Sequence, residues 1–208
     1  MALVKHNNNS ISAVTSMASL TTGSMTLIKE VTASSDASIS FVDGSSDVVL
    51  DSTYPIYLFK FINIHPATNA TSLRMNFSTD GGSNYNVTKT TSSFEAYNNE
   101  PDNDAALRYD TAYDQAQSTA DLNIADEIQS ASTDGSASGY LYLFNPSSST
   151  YVKHFMSTFQ SMRWDSYSWN YYKAGYGNTT SAINAVKFLM SSGNIDTGTI
   201  KLYGLKDS

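Results

Sequence analysis

A chain of 208 residues that is 40% hydrophobic and 12% aromatic can bury one sizeable core but is short for two average domains, so a single domain with an appended arm is expected. The formal charge of −7 comes from 19 acidic residues against 12 scattered Lys and Arg, which leaves no basic stripe and excludes nucleic acid as a partner. The absence of cysteine excludes disulfides, thiolate metal sites and thiol nucleophiles, and no apolar run suits a signal peptide or a membrane span, so a soluble, cytosol-made chain without a membrane partner is expected.

Residues 1–24 are rich in Asn, Ser, Thr and Ala, with too few apolar residues to bury a face, and form a candidate anchoring arm; residues 25–208 form the candidate sandwich domain. Met25–Val31 and Ser38–Val42 read as short strands, the second closed by the turn Asp43-Gly44. Tyr57–Ile64 is the most apolar strand, belongs in the middle of a sheet, and ends at His65-Pro66 because proline cannot donate to a ladder. Leu73, Met75 and Phe77 alternate with Arg74 and Asn76, and Asp80-Gly81-Gly82 is expected to turn this strand into Tyr85–Thr88 as a hairpin.

Asn98–Asp134 reads as a long polar connection, and the spacing of Leu122, Ile124 and Ile128 allows at most a short helix in it. After Gly139 come five strand-like runs, Tyr140–Phe144, Tyr151–Phe159, Trp169–Tyr176, Ala185–Met190 and Thr199–Tyr203, with turn residues between them. In the last run Ile200 and Leu202 share one face and Lys201 and Tyr203 the other, as in a half-buried closing strand. Nine or ten strands with no βαβ alternation predict an all-β, antiparallel jelly-roll or Greek-key β-sandwich.

No motif for catalysis or cofactor binding stands out. His6, His65 and His154 have no metal-ligand spacing, and no serine elbow accompanies them. His154 shares a face with Val152 and Met156, opposite Lys153 and Phe155, and reads as a hydrogen-bonded sandwich residue. Glu100, Asp102 and Asp104 offer oxygen ligands for Ca²⁺ but lack the spacing and turn glycine of an EF-hand loop, so a solvated loop is favoured. The aromatic segment with Trp164, Tyr167, Trp169, Tyr171 and Tyr172 mixes rings with polar groups, which suits a protein interface or sugar stacking, although half or more of the rings are expected in the core.

The arm His6-Asn7-Asn8-Asn9-Ser10-Ile11-Ser12-Ala13-Val14-Thr15 and the end Ser192-Gly193-Asn194-Ile195-Asp196-Thr197-Gly198-Thr199-Ile200-Lys201-Leu202-Tyr203-Gly204 resemble structural particle proteins of tailed phages of marine bacteria, including cyanophages. Phe41–Asp51, Phe61–Thr68 and Phe144–Phe155 are similar to the same family, so the resemblance covers most of the chain. It implies a non-enzymatic virion-surface protein with no catalytic motif to transfer. The expected job is capsid decoration as a homo-oligomer, a trimer for instance, whose arm contacts the major capsid protein through His6, Asn7, Asn8, Asn9, Ile11 and Val14; the alternative is a tail-fibre adhesin that reads host glycan through the aromatic segment.

Overall fold

Along most of the chain the side chains alternate between buried and exposed with period two, so the backbone is extended and each strand has one face for the core. The computed structural model describes residues 24–206, and the arm residues His6, Asn7, Asn8, Asn9, Ile11 and Val14 lie outside them. Among the described residues there are twelve strands and no helix: β1 (Met25–Thr32), β2 (Ser38–Val42), β3 (Ile56–Pro66), β4 (Thr71–Ser78), β5 (Lys89–Asn99), β6 (Ala105–Tyr109), β7 (Leu122–Ile128), β8 (Ala137–Phe144), β9 (Lys153–Met162), β10 (Tyr167–Gly177), β11 (Ala185–Met190) and β12 (Ile195–Leu205).

All the pairings are antiparallel, and they build two sheets. One sheet has the order β1-β12-β3-β8-β9-β10-β5-β6 and the other β2-β11-β4-β7. Eight of these strands, β1-β12-β3-β8 facing β2-β11-β4-β7, form a jelly-roll sandwich. The hairpins β5–β6 and β9–β10 are inserted between strands of that roll, and both join the same sheet beyond β8. The larger sheet therefore extends four strands past the roll.

The roll's core is a set of phenylalanines meeting edge to face. Phe41, Phe59 and Phe188 have ring centroids 5.3 to 6.2 Å apart, Phe61 joins Phe188 at 4.9 Å, and Phe77 meets Phe155 at 5.3 Å. Full burial of one such ring contributes roughly 1.5–3 kcal/mol, with about 0.5–1.5 kcal/mol more for the edge-to-face geometry.

Two sequence expectations change. Tyr85–Thr88 forms no strand; β4 lies between β11 and β7, and only the Val87 amide, bonded to the Phe77 carbonyl at 3.4 Å, remains of the expected hairpin. The turn itself is present, with Gly81 and Gly82 at φ of 71° and 83°. The helical spacing of Leu122, Ile124 and Ile128 belongs to a bulged strand: β7 gains a residue on β4 between Leu73↔Ala125 and Thr71↔Ile128, and the inward position between Ile124 and Ile128 is taken by buried Asp126. A polar residue at an inward position erased the alternation.

Candidate functional site

The structure divides the five aromatic residues of the candidate partner surface, of which half or more were expected in the core. Trp169 and Tyr171 point inward and are buried, Tyr172 points outward from the same strand, Tyr167 opens that strand, and Trp164 lies in the turn before it. Trp169 stacks on Tyr97 at 4.2 Å, and the Arg163 guanidinium covers its ring at 4.4 Å. Its indole N–H donates to Glu95 at 3.0 Å. Trp164 is half-exposed, while the Tyr167 hydroxyl donates to Asp104 at 2.8 Å. Buried Trp169 and Tyr171 offer no ring face to a ligand, and Trp164, Tyr167 and Tyr172 are the members of the segment that reach the surface.

The acids Glu100, Asp102 and Asp104 sit in the exposed turn between β5 and β6, where Asp104 accepts from Tyr167 and Asp102 from Asn98, so they converge on no common point. Among the described residues no group of three or more His, Asp or Glu is placed to hold a metal ion. His154 lies on the outer face beside Tyr176, exposed rather than hydrogen-bonded within the sandwich, and His65 Nδ1 meets the Gly135 carbonyl.

Two features emerge that sequence reasoning did not assemble. The first is the outer face of the extended sheet. The register aligns Lys60, Tyr140, Thr158, Tyr172, Phe94 and Tyr109 in one row across six strands. Tyr172 stacks on Phe94 at 4.8 Å, with the rings 8° apart. Tyr140, Met156 and Phe94 remain 43%, 55% and 44% exposed. Together with Tyr142, Phe144 and Ala174 they line an apolar hollow of about 380 Å³, which adjoins a second of about 630 Å³ running to His154 and Tyr176. Strands β3, β8, β9 and β10 contain no Asp or Glu, and the single one in β5, Glu95, points inward. The signal in the sequence was Tyr140-Leu141-Tyr142-Leu143-Phe144, apolar at both parities.

The second feature is the interior beneath the extension. Period two places Lys89, Thr91, Ser93 and Glu95 of β5 and Trp169, Tyr171 and Lys173 of β10 on the inner face. The smaller sheet stops at β7, and residues 110–118 run along β5 to close the gap: Asp110 N–H bonds Ser93, Thr91 exchanges with Gln115, and Lys89 with Ser118. Lys173 is buried there between Glu95 and Asp126, its Nζ 3.9 Å from Glu95 Oε1 and 3.8 Å from Asp126 Oδ2. Its one hydrogen bond goes to Ser93 Oγ at 2.8 Å, and the Tyr113 ring lies 5.0 Å from Nζ. Glu95 Oε1 and Asp126 Oδ2 have no hydrogen-bond partner.

Desolvation pushes the carboxyls of Glu95 and Asp126 up and the Lys173 ammonium down; the Lys173 charge opposes the shift of both carboxyls and they oppose its own, while the Asp126 charge adds to the rise of Glu95. Burial raises Tyr113 to about 12 and lowers Lys89 to about 8. Lys89 donates to Asn76 at 2.7 Å and to the Val87 carbonyl at 2.9 Å, without a carboxylate in bonding reach. Three buried charges of mixed sign cost several kcal/mol each to desolvate, so this cluster weakens the fold unless its members compensate one another.

No protein-family model, no curated protein and no solved structure matches this chain.

Proposed function

We propose that this chain is a non-enzymatic structural protein of the surface of a tailed-phage particle, a capsid decoration subunit that packs on further copies of itself through the outer face of β3, β8, β9, β10 and β5. The observation that carries this reading is the combination of an acidic protein, net charge −7, with one aromatic face free of carboxylates. Two copies meeting there bury stacked rings without bringing their negative charges together. The resemblance of both ends of the chain to marine-phage particle proteins supplies the setting, and the Asn- and Ser-rich residues 1–24 supply a segment suited to hydrogen bonding along a capsid subunit.

Light scattering on the purified chain tests this reading. An oligomer, a trimer in the simplest case, is expected for the parent protein, and Phe94→Asp with Tyr172→Asp reduces it to a monomer; a monomeric parent protein at tens of micromolar overturns the docking face. Deleting residues 1–23 is expected to release the protein from particles and leave its oligomer intact.

A second reading is favoured by the 380 Å³ hollow, whose Tyr140, Tyr142 and Phe144 rings offer stacking surfaces to a neutral sugar. In that reading the chain is a tail-fibre adhesin for host glycan. Tyr140→Ala with Tyr142→Ala then lowers host adsorption without changing copy number per particle, whereas a decoration subunit leaves adsorption unchanged.

A further inference from the structure

We propose that Lys173 and Asp126 become joined by an intramolecular isopeptide bond, with Glu95 as the proton carrier, so that β10 of the extension is covalently fastened to β7 of the roll. This proposal is independent of the particle reading above.

The argument is geometric. The Lys173 amine lies 3.8 Å from Asp126 Oδ2 and 3.9 Å from Glu95 Oε1, and the three side chains are 0%, 3% and 1% exposed. Oδ2 is bonded to the Cγ that Nζ would attack, so the reacting atoms are neighbours, and a small side-chain movement brings them to the roughly 3–3.5 Å of a near-attack arrangement. The two facing carboxylate oxygens have no hydrogen-bond partner, and the amine has only Ser93, so nothing on these atoms must be displaced before reaction. The Tyr171 hydroxyl donates to the Asp126 backbone carbonyl at 2.7 Å and pins the two strands at this point.

Asp126 is the acyl donor and Glu95 the proton carrier, because their surroundings differ. Glu95 Oε2 accepts from the Trp169 indole at 3.0 Å and faces the Arg108 guanidinium at 3.5 Å, which favours its ionised form. Besides Lys173, Asp126 is held in its ionised form by neutral donors, the Ser72 hydroxyl and the Asn123 amide, the latter bonded to Oδ1 at 2.8 Å. Burial disfavours both the ammonium and the Asp126 carboxylate, which promotes transfer of one proton from Lys173 to Asp126 and leaves a nucleophilic amine beside a neutral acid.

The reaction balances without an external reagent. Nζ attacks Cγ of Asp126 and a C–N bond forms; Glu95 takes a proton from the nitrogen and returns it to the departing hydroxyl; the C–O bond breaks and one water leaves. A buried ammonium and carboxylate become a neutral amide, which removes the cost of keeping both charges out of water.

Intact-mass spectrometry of the denatured full-length chain, with its terminal peptides sequenced, is the test. The parent protein is expected to be lighter than its sequence by the mass of one water, and digestion to give one branched peptide containing Asp126 and Lys173. Lys173→Met, Asp126→Ala and Glu95→Gln are each expected at full sequence mass, Glu95→Gln with a β-sheet circular dichroism spectrum like that of the parent. A parent chain at full sequence mass overturns the proposal whatever the variants do. Water loss that survives Lys173→Met, or a branch at Glu95, overturns the assignment.

Discussion

The roll and its four-stranded extension share one continuous sheet yet fill their interiors in opposite ways. Under β3 and β8 of the roll and the adjoining first strand of the extension, β9, a second sheet lies opposite, and the space between is closed by Phe41, Phe59, Phe61, Phe77, Phe155 and Phe188. Under β10 and β5 the second sheet has ended, and the inner face meets the edge of β7 and a loop segment. A loop brings backbone groups that need partners, so polar side chains on the inner face become tolerable, and Lys89, Ser93, Glu95 and Lys173 occupy positions that hold phenylalanine a few strands away. What covers a sheet thus decides what its inward residues can be.

That contrast can be broken from either side. The largest effects belong to the interiors. Phe188→Ala in the roll removes a ring that touches three others and is expected to cost about 3–5 kcal/mol in denaturant unfolding. Measured against Glu95→Gln, which lacks the cross-link, the double change Glu95→Gln, Lys173→Met strands the buried Asp126 carboxylate and is expected to cost a similar ~3–5 kcal/mol, whereas adding Asp126→Asn recovers most of it. A triple variant as unstable as the double would show that packing, not charge, governs the extension.

A smaller effect follows from Lys89. Its folded-state pKa of about 8 lies below its ordinary value of 10.5, so between those values the unfolded chain holds the proton that the folded chain has released. For Lys89 stability therefore rises with pH across that window, by about 2 kcal/mol near pH 9.5, and Lys89→Met removes this part of the rise, leaving the contribution of buried Lys153. The comparison of melting temperatures at pH 7.5 and 9.5 checks this, since an equal change in both proteins would locate the titration elsewhere. The smallest effect is expected on the outer face: Tyr172→Thr should alter monomer stability by no more than about 0.5 kcal/mol, because its ring packs on Phe94 outside the core.

Much of the roll was legible because its strands follow simple alternation; Ile200 and Leu202 are buried and Lys201 and Tyr203 are not, as their parity requires. The extension was legible only in part. The turn Asp80-Gly81-Gly82 exists, but the chain leaving it passes Tyr85–Thr88 without pairing as a strand and joins the other sheet as β5, and local turn chemistry carries no information about which sheet a chain enters next. β7 was hidden by its own bulges and by Asp126.

The candidate surfaces show the same limit. Trp169 and Tyr172 are three residues apart and were grouped by composition, yet opposite parity sends one to Glu95 and the other to Phe94. Glu95 and Lys173 meet only because the register places them on one inner face, and the sequence separation between them conceals that meeting.

The edge opposite the extension has a mechanical consequence. β1 and β12 pair there from Met25↔Leu205 to Thr32↔Thr199, and the Lys206 amide bonds the Ser24 carbonyl, so the two ends of the described span leave from one corner. A load applied across those ends meets the ladder one rung at a time and peels it open at low force, while the Lys173–Asp126 contact lies several strands away and bears none of it until the roll has already parted.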